Sequence, residues 1–181
     1  MNNKYSIGSL REAEVESAGQ VFETAIPDAF EKEGLSFMKE TIDGEILHKK
    51  KMLKHALEAP DTGIYFLVAK QKEQVVGVIS ISPCGEDIKK CTENELAHLY
   101  ELGSLYVLPE YQDQGIGSAL IGAMIKHLDS QGIEEFCLDS GYKRAQKRWL
   151  NKFGATYRVA PDYWGPGADH MIWLCRVADF I

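Results

Sequence analysis

The frame for a metal is missing from this sequence. Its four cysteines, Cys84, Cys91, Cys137 and Cys175, form no CxxC pair, and no Cys or His cluster has zinc-ligand spacing. Cys137 and Cys175 fall inside the apolar runs "EEFCLD" and "MIWLCRV", where a free thiol packs as a small hydrophobe. Neither a metal nor a disulfide framework is expected. Long apolar runs are missing too: none approaches the roughly 18 residues of a membrane-spanning helix. The opening "MNNKYSIGSL" has no long apolar core and no signal-type cleavage site. The expectation is a cytoplasmic chain with no membrane partner. Positive charge is also in deficit. The net charge is −7, with 17 acids against 12 bases in residues 1–100 and 10 against 8 in residues 101–181. Acid prevails in both parts, so no nucleic-acid partner is expected.

What is present is alternation of strand-like and helix-like runs over 181 residues, enough for one domain with a sizeable core. "YSIGSL" reads as a short strand. Val15, Ala18, Phe22 and Ala25 recur at helical spacing, predicting a first helix that ends before Pro27 and a loop or helical turn over "PDAFEKEGLS". A second helix carries Met38, Ile42, Ile46, Leu53 and Leu57 on one stripe and closes at Pro60. "GIYFLVAK" and "QVVGVISIS" form a hairpin signal across "QKE". "CGEDIKKCTEN" reads as a polar loop and "LAHLYELGSLYVL" as a long strand. A third helix carries Ile116, Leu120, Ala123, Met124 and Leu128 and stops near Gly132. After it come the strand "EEFCLD", a fourth helix "KRAQKRWLNKF" closed by Gly154, and a hairpin of "ATYRV" and "HMIWLCRV" around "APDYWGPGAD". No repeat, linker or low-complexity tract interrupts this order. It predicts a mixed α/β fold in one domain, residues 1–181.

The stretch with chemistry in it is "YQDQGIGSAL", Tyr111 to Leu120, a glycine turn between a strand and a helix. Such a turn exposes backbone N–H groups that the helix cannot use, which suits an anion. A P-loop would need GxxxxGK[ST], and no lysine followed by Ser or Thr stands here. A dinucleotide fingerprint would need a third glycine where Leu120 stands, and a place at the first strand–helix turn. What remains is Q-x-x-G-x-G after a long strand: Gln112, Gly115 and Gly117. With "ELGSLYVLPEYQDQGIGSALIGAMIKHL", Glu101 to Leu128, including Pro109 and the amphipathic helix, the chain resembles the GNAT superfamily of acyl-CoA-dependent N-acetyltransferases. The order of elements over nearly all of the chain agrees.

The resemblance implies a central, mostly antiparallel sheet with splayed middle strands, flanked by about four helices. It also implies acetyl-CoA as co-substrate and no metal. The amides of Gln114, Gly115, Ile116, Gly117, Ser118 and Ala119 would face the pyrophosphate, with the positive end of the third helix behind them. The pantetheine arm would pair with the backbone around Leu105, Tyr106 and Val107 as an added strand does. The Val107 N–H would polarise the thioester carbonyl. Where many relatives carry basic residues, this turn reads Gln112, Asp113, Gln114. Counter-charge would come from Lys143 at the start of the fourth helix, within "KRAQKR", or that run is simply a solvated face.

Acetyl transfer to an amine needs a base, because a lysine-type amine is mostly protonated at neutral pH. Glu101, six residues before Val107 in an otherwise apolar strand, is the candidate; many relatives carry a glutamate there. Burial would raise its pKa, as suits a base. His98 is its rival. The tyrosine that relatives often use as an acid on the fourth helix is replaced here by Leu150, when the chain is aligned on Gly154. Tyr142 is the substitute, Tyr157 and Tyr163 are alternatives, and the thiolate can also leave unaided, its pKa being near 8.5. "DYWGPG", Asp162 to Gly167, can wall the acceptor pocket or tuck against its own hairpin. The acceptor is a small-molecule or peptide amine whose identity no motif gives, and family resemblance makes a homodimer a reasonable expectation. A CoA-binding regulatory module without catalysis is the alternative.

Overall fold

The computed structural model describes residues 5–181. In chain order the elements are β1 (Ser6–Ser9), α1 (Val15–Lys32), α2 (Lys39–Glu58), β2 (Tyr65–Gln71), β3 (Gln74–Pro83), α3 (Glu86–Cys91) and β4 (Tyr100–Val107). There follow α4 (Ile116–Ser130), β5 (Glu135–Ser140), α5 (Lys143–Phe153), β6 (Arg158–Ala160) and β7 (His170–Arg176). The hydrogen-bonded strand order is β1-β2-β3-β4-β5-β7-β6. The β1–β2, β2–β3, β5–β7 and β6–β7 pairs are antiparallel, and β4–β5 is parallel. This is the expected mixed α/β fold with a mostly antiparallel sheet, carrying five α-helices among the described residues. No helix among these residues is long and apolar enough to cross a membrane.

Two elements correct the sequence reading. The first helix runs through Pro27 to Lys32 instead of ending before it. An internal proline costs about 3 kcal/mol. The continuation buries Phe30, at 3% exposure; at about 1.5–3 kcal/mol for a large apolar side chain, that burial offsets most of the loss. The polar stretch after β3 is not all loop: Glu86–Cys91 forms α3, with acids in its first turn and lysines in its last, as a helix dipole favours. Its anchor is Ile88, fully buried in a cluster with Cys84, Leu96, Cys137 and Ile172.

The chain divides into two compact units, Met1–Ile81 with Ser104–His127, and Ser82–Gly103 with Leu128–Ile181. In the first, Phe22 of α1 meets Phe66 and Tyr106 edge-on, and Ile116, Leu120 and Met124 of α4 are buried. Gly77 of β3 lets α4 approach, since a Cβ there would lie 3.1 Å from Leu120 Cδ1 and 3.2 Å from Ile116 Cγ2. In the second, Trp173 and Phe136 are fully buried, and Phe136, Phe153 and Phe180 pack ring to ring.

Candidate active site

Strand β4 carries an irregularity at its middle. The Leu108 N–H donates to the Val76 carbonyl and the Cys84 N–H to the Leu99 carbonyl. Eight residue steps on β3's side therefore oppose nine on β4's side, so β4 holds one extra residue, a bulge. Ser104, with φ of 51°, marks it. The ladder between β4 and β5 covers only Tyr100↔Phe136 and Glu101↔Cys137, although β4 continues to Val107 and β5 to Ser140.

The bond from Leu108 to β3 also fixes the peptide before it. With every described peptide trans, the Val107 carbonyl points opposite to the Leu108 N–H, away from β3. There it accepts a hydrogen bond from Gln112 Nε2 at 3.1 Å. In an extended strand a residue's N–H and C=O face the same side. The Val107 N–H therefore also points away from β3, as do the backbone groups of Leu105 two residues earlier.

The glycine turn follows. Gly115 has φ of 81°, a left-handed conformation natural to glycine. Gly117 needs no such freedom. A Cβ there would touch only Leu105 Cδ2, at 4.0 Å, so nothing within the protein requires its absence. The first turn of α4 presents the Ile116, Gly117 and Ser118 amides without intrahelical acceptors. The Ala119 N–H is already donated to the Gly115 carbonyl at 3.0 Å, which removes it from the expected anion set. Gln114 bonds the Glu110 carbonyl through its side chain, and Asp113 is exposed in a left-handed conformation. An open, backbone-lined cradle fits a phosphate group.

Glu101 is half-buried on β4, and its Oε2 accepts the Gly85 N–H at 2.8 Å. A Cβ on Gly85 would lie 2.7 Å from that oxygen, so glycine admits the carboxylate. His98, the rival base, is exposed in the turn before β4. Tyr142 caps α5, its carbonyl accepting from the Gln146 N–H, and is 38% exposed; Lys143 is exposed in the first turn. Tyr157 donates to Glu95 at 2.5 Å and Tyr163 to Asp87 at 2.7 Å. The bond to Asp87 pushes Tyr163 up to about 12, and the bond to Glu95 raises Tyr157 as well, so both are weak proton donors. Leu150 is exposed on α5. Burial pushes the thiols of Cys84, Cys137 and Cys175 up, away from the thiolate form.

Three arrangements escaped sequence reasoning because they join distant residues. Lys32 and Asp28 of α1 reach Gln112. Gly85 seats Glu101. His170, at 3% exposure, accepts the Trp164 indole N–H on Nδ1 at 3.0 Å and bonds Asp139 through Nε2 at 2.8 Å. Trp164 lies over Gly141, where a Cβ would be 2.5 Å from Nε1. The glycine next to Tyr142 was the available signal for that contact.

Residues 27–155 match the model of a family described as acetyltransferase (GNAT) family. Human N-acetyltransferase 8 is 31% identical over 81 residues, 45% of this chain. The match spans 33% of that relative's length. Among solved structures, a GNAT-family acetyltransferase from Desulfovibrio desulfuricans is similar with a TM-score of 0.72 at 15% identity, over 96% of this chain and 99% of that one. PaiA N-acetyltransferase from Thermoplasma acidophilum, in complex with coenzyme A, is similar with a TM-score of 0.69 at 18% identity, over 95% and 98%. At these identities the structures speak to the fold.

Proposed function

Since the chain belongs to the acetyltransferase (GNAT) family, we propose that it transfers an acetyl group from acetyl-CoA directly to a primary amine, residues 1–181 acting as one catalytic domain. The acetyl-CoA thioester supplies the activated acyl group. The Ile116, Gly117 and Ser118 amides would hold the pyrophosphate, and the backbone of Leu105 the pantetheine arm. The Val107 N–H would stabilise negative charge building on the carbonyl oxygen. Glu101, oriented by the Gly85 N–H, would take the amine proton, directly or through water. Tyr142, at the start of α5, would be the proton donor for the thiolate, and the carboxylate bonds of Tyr157 and Tyr163 argue against those two. The protonated state of the buried thiols argues against a cysteinyl intermediate and for direct transfer.

The observation that carries this reading is the open backbone at Gly117, together with a Val107 N–H aimed away from β3. Its test is thiol release from acetyl-CoA across a panel of primary amines, with wild type and Glu101→Gln side by side. Turnover on at least one amine, lost in the variant while CoA still binds, supports the enzyme. CoA binding without turnover on any amine favours the non-catalytic module, for which the exposed Leu150 in the acid's usual place speaks.

A further inference from the structure

The side chain of Gln112 is engaged by α1 and by the end of β4. Its Oε1 accepts from Lys32 Nζ at 2.8 Å; its Nε2 donates to the Val107 carbonyl at 3.1 Å and to Asp28 Oδ2 at 3.4 Å. Lys32 Nζ also donates to Asp28 Oδ2 at 2.7 Å, closing a ring between the end of α1 and the glycine turn. Only one orientation of the amide works. Lysine offers donors alone, while the carboxylate and the carbonyl offer acceptors alone, so a flipped amide would clash in charge at all three contacts. The peptide between Val107 and Leu108 is thus held on both sides: its N–H by the Val76 carbonyl at 2.9 Å, its C=O by Gln112.

We propose that Gln112, braced by Asp28 and Lys32, is a positioning residue that aims the Val107 N–H at the thioester carbonyl, and that its side chain is not a phosphate ligand. The inference rests on the acetyl-CoA reading above. Its chemistry separates it from a role in phosphate binding: a phosphate ligand serves CoA and acetyl-CoA alike, whereas the Val107 N–H meets an oxygen that only acetyl-CoA has. Gln112→Glu is nearly isosteric and sets an oxygen against the Val107 carbonyl. Lys32→Met removes the brace from a partly exposed position, and Lys32→Arg restores its charge and donors.

The experiment titrates CoA and acetyl-CoA calorimetrically into wild type and the three variants. It also records the infrared carbonyl stretch of bound acetyl-CoA labelled with ¹³C at the acetyl carbonyl. In wild type the stretch shifts to lower frequency on binding. In Gln112→Glu and Lys32→Met it returns toward the free value, and acetyl-CoA loses about fivefold in affinity relative to CoA, the worth of one hydrogen bond. CoA affinity changes by no more than the roughly two- to threefold that one charge at this turn is worth, and Lys32→Arg behaves as wild type. Equal weakening of both ligands, or an unmoved carbonyl band in both disrupting variants, overturns the inference and leaves the acetyl-CoA reading standing. A wild type that binds neither ligand overturns both. Lys32→Met keeps the test decisive if Gln112→Glu does not fold.

Discussion

The turn before α4 and the hairpin loop before β7 are both glycine-rich, and they treat their backbone in opposite ways. In the turn, a Cβ at Gly117 would meet only Leu105 Cδ2, at 4.0 Å, and the first amides of α4 have no partner inside the helix. In the loop the polar groups are spent internally. Asp162 accepts the Gly167 N–H at 2.6 Å, Asp169 accepts the Asp162 N–H at 2.9 Å, and the Trp164 N–H reaches the Ala168 carbonyl at 3.0 Å. The Trp164 indole is fastened to His170 and through it to Asp139. Glycine therefore leaves backbone amides without acceptors in one place and shapes a self-contained platform in the other. What separates the two meanings is whether the neighbouring N–H groups already have acceptors.

The largest effect should come from the carboxylate on β4. Glu101→Gln is expected to lower turnover between about a hundredfold and ten-thousandfold, the range of a lost general base. Acetyl-CoA affinity should hold, and steady-state rates on an accepted amine against calorimetric affinity would show the split. Gly85→Ala tests the same group without touching it. The new methyl competes with Glu101 Oε2 at a residue of ordinary φ, −78°. Turnover should fall about tenfold to a hundredfold with the melting temperature unmoved. Retained turnover would mean that the carboxylate need not sit where Gly85 holds it.

His170→Phe sharpens the contrast from the other side. It leaves Asp139 and the Trp164 N–H unpaired next to a buried ring, a cost of about 2–3 kcal/mol in urea denaturation. Acetyl-CoA binding at the α4 turn should not change, because the platform and the cradle are built from separate bonds. Asp113→Asn has the smallest expected effect. Removing one negative charge from the exposed turn, with a residue that also tolerates a left-handed backbone, should tighten acetyl-CoA binding about two- to threefold. That gain should fade with added salt.

The succession of strands and helices along the chain, the β2–β3 hairpin and the α4 turn were legible because they rest on periodicity and on local backbone chemistry. The glycine spacing needs no tertiary contact to be recognised. Pro27 and α3 were misjudged because local propensity was overruled by burial of Phe30 and Ile88. The brace on Gln112 was invisible for another reason. Lys32 lies 80 residues away, and its pairing with Asp28 looks locally like any surface ion pair four residues apart on a helix. The seat of Glu101 was equally hidden, since a glycine within a polar stretch announces nothing about the carboxylate it will admit.

The central claim is that the vacant backbone at Gly117 receives the pyrophosphate of CoA. Calorimetric titration with acetyl-CoA, CoA and NAD, on wild type and on Gly117→Trp, tests it most directly. The account predicts that wild type binds both CoA forms and not NAD. Gly117→Trp is expected to lose CoA binding while staying folded by circular dichroism, because an added Cβ there would meet only Leu105 Cδ2, at 4.0 Å. Binding of acetyl-CoA undiminished in Gly117→Trp, or no binding by wild type, would contradict it.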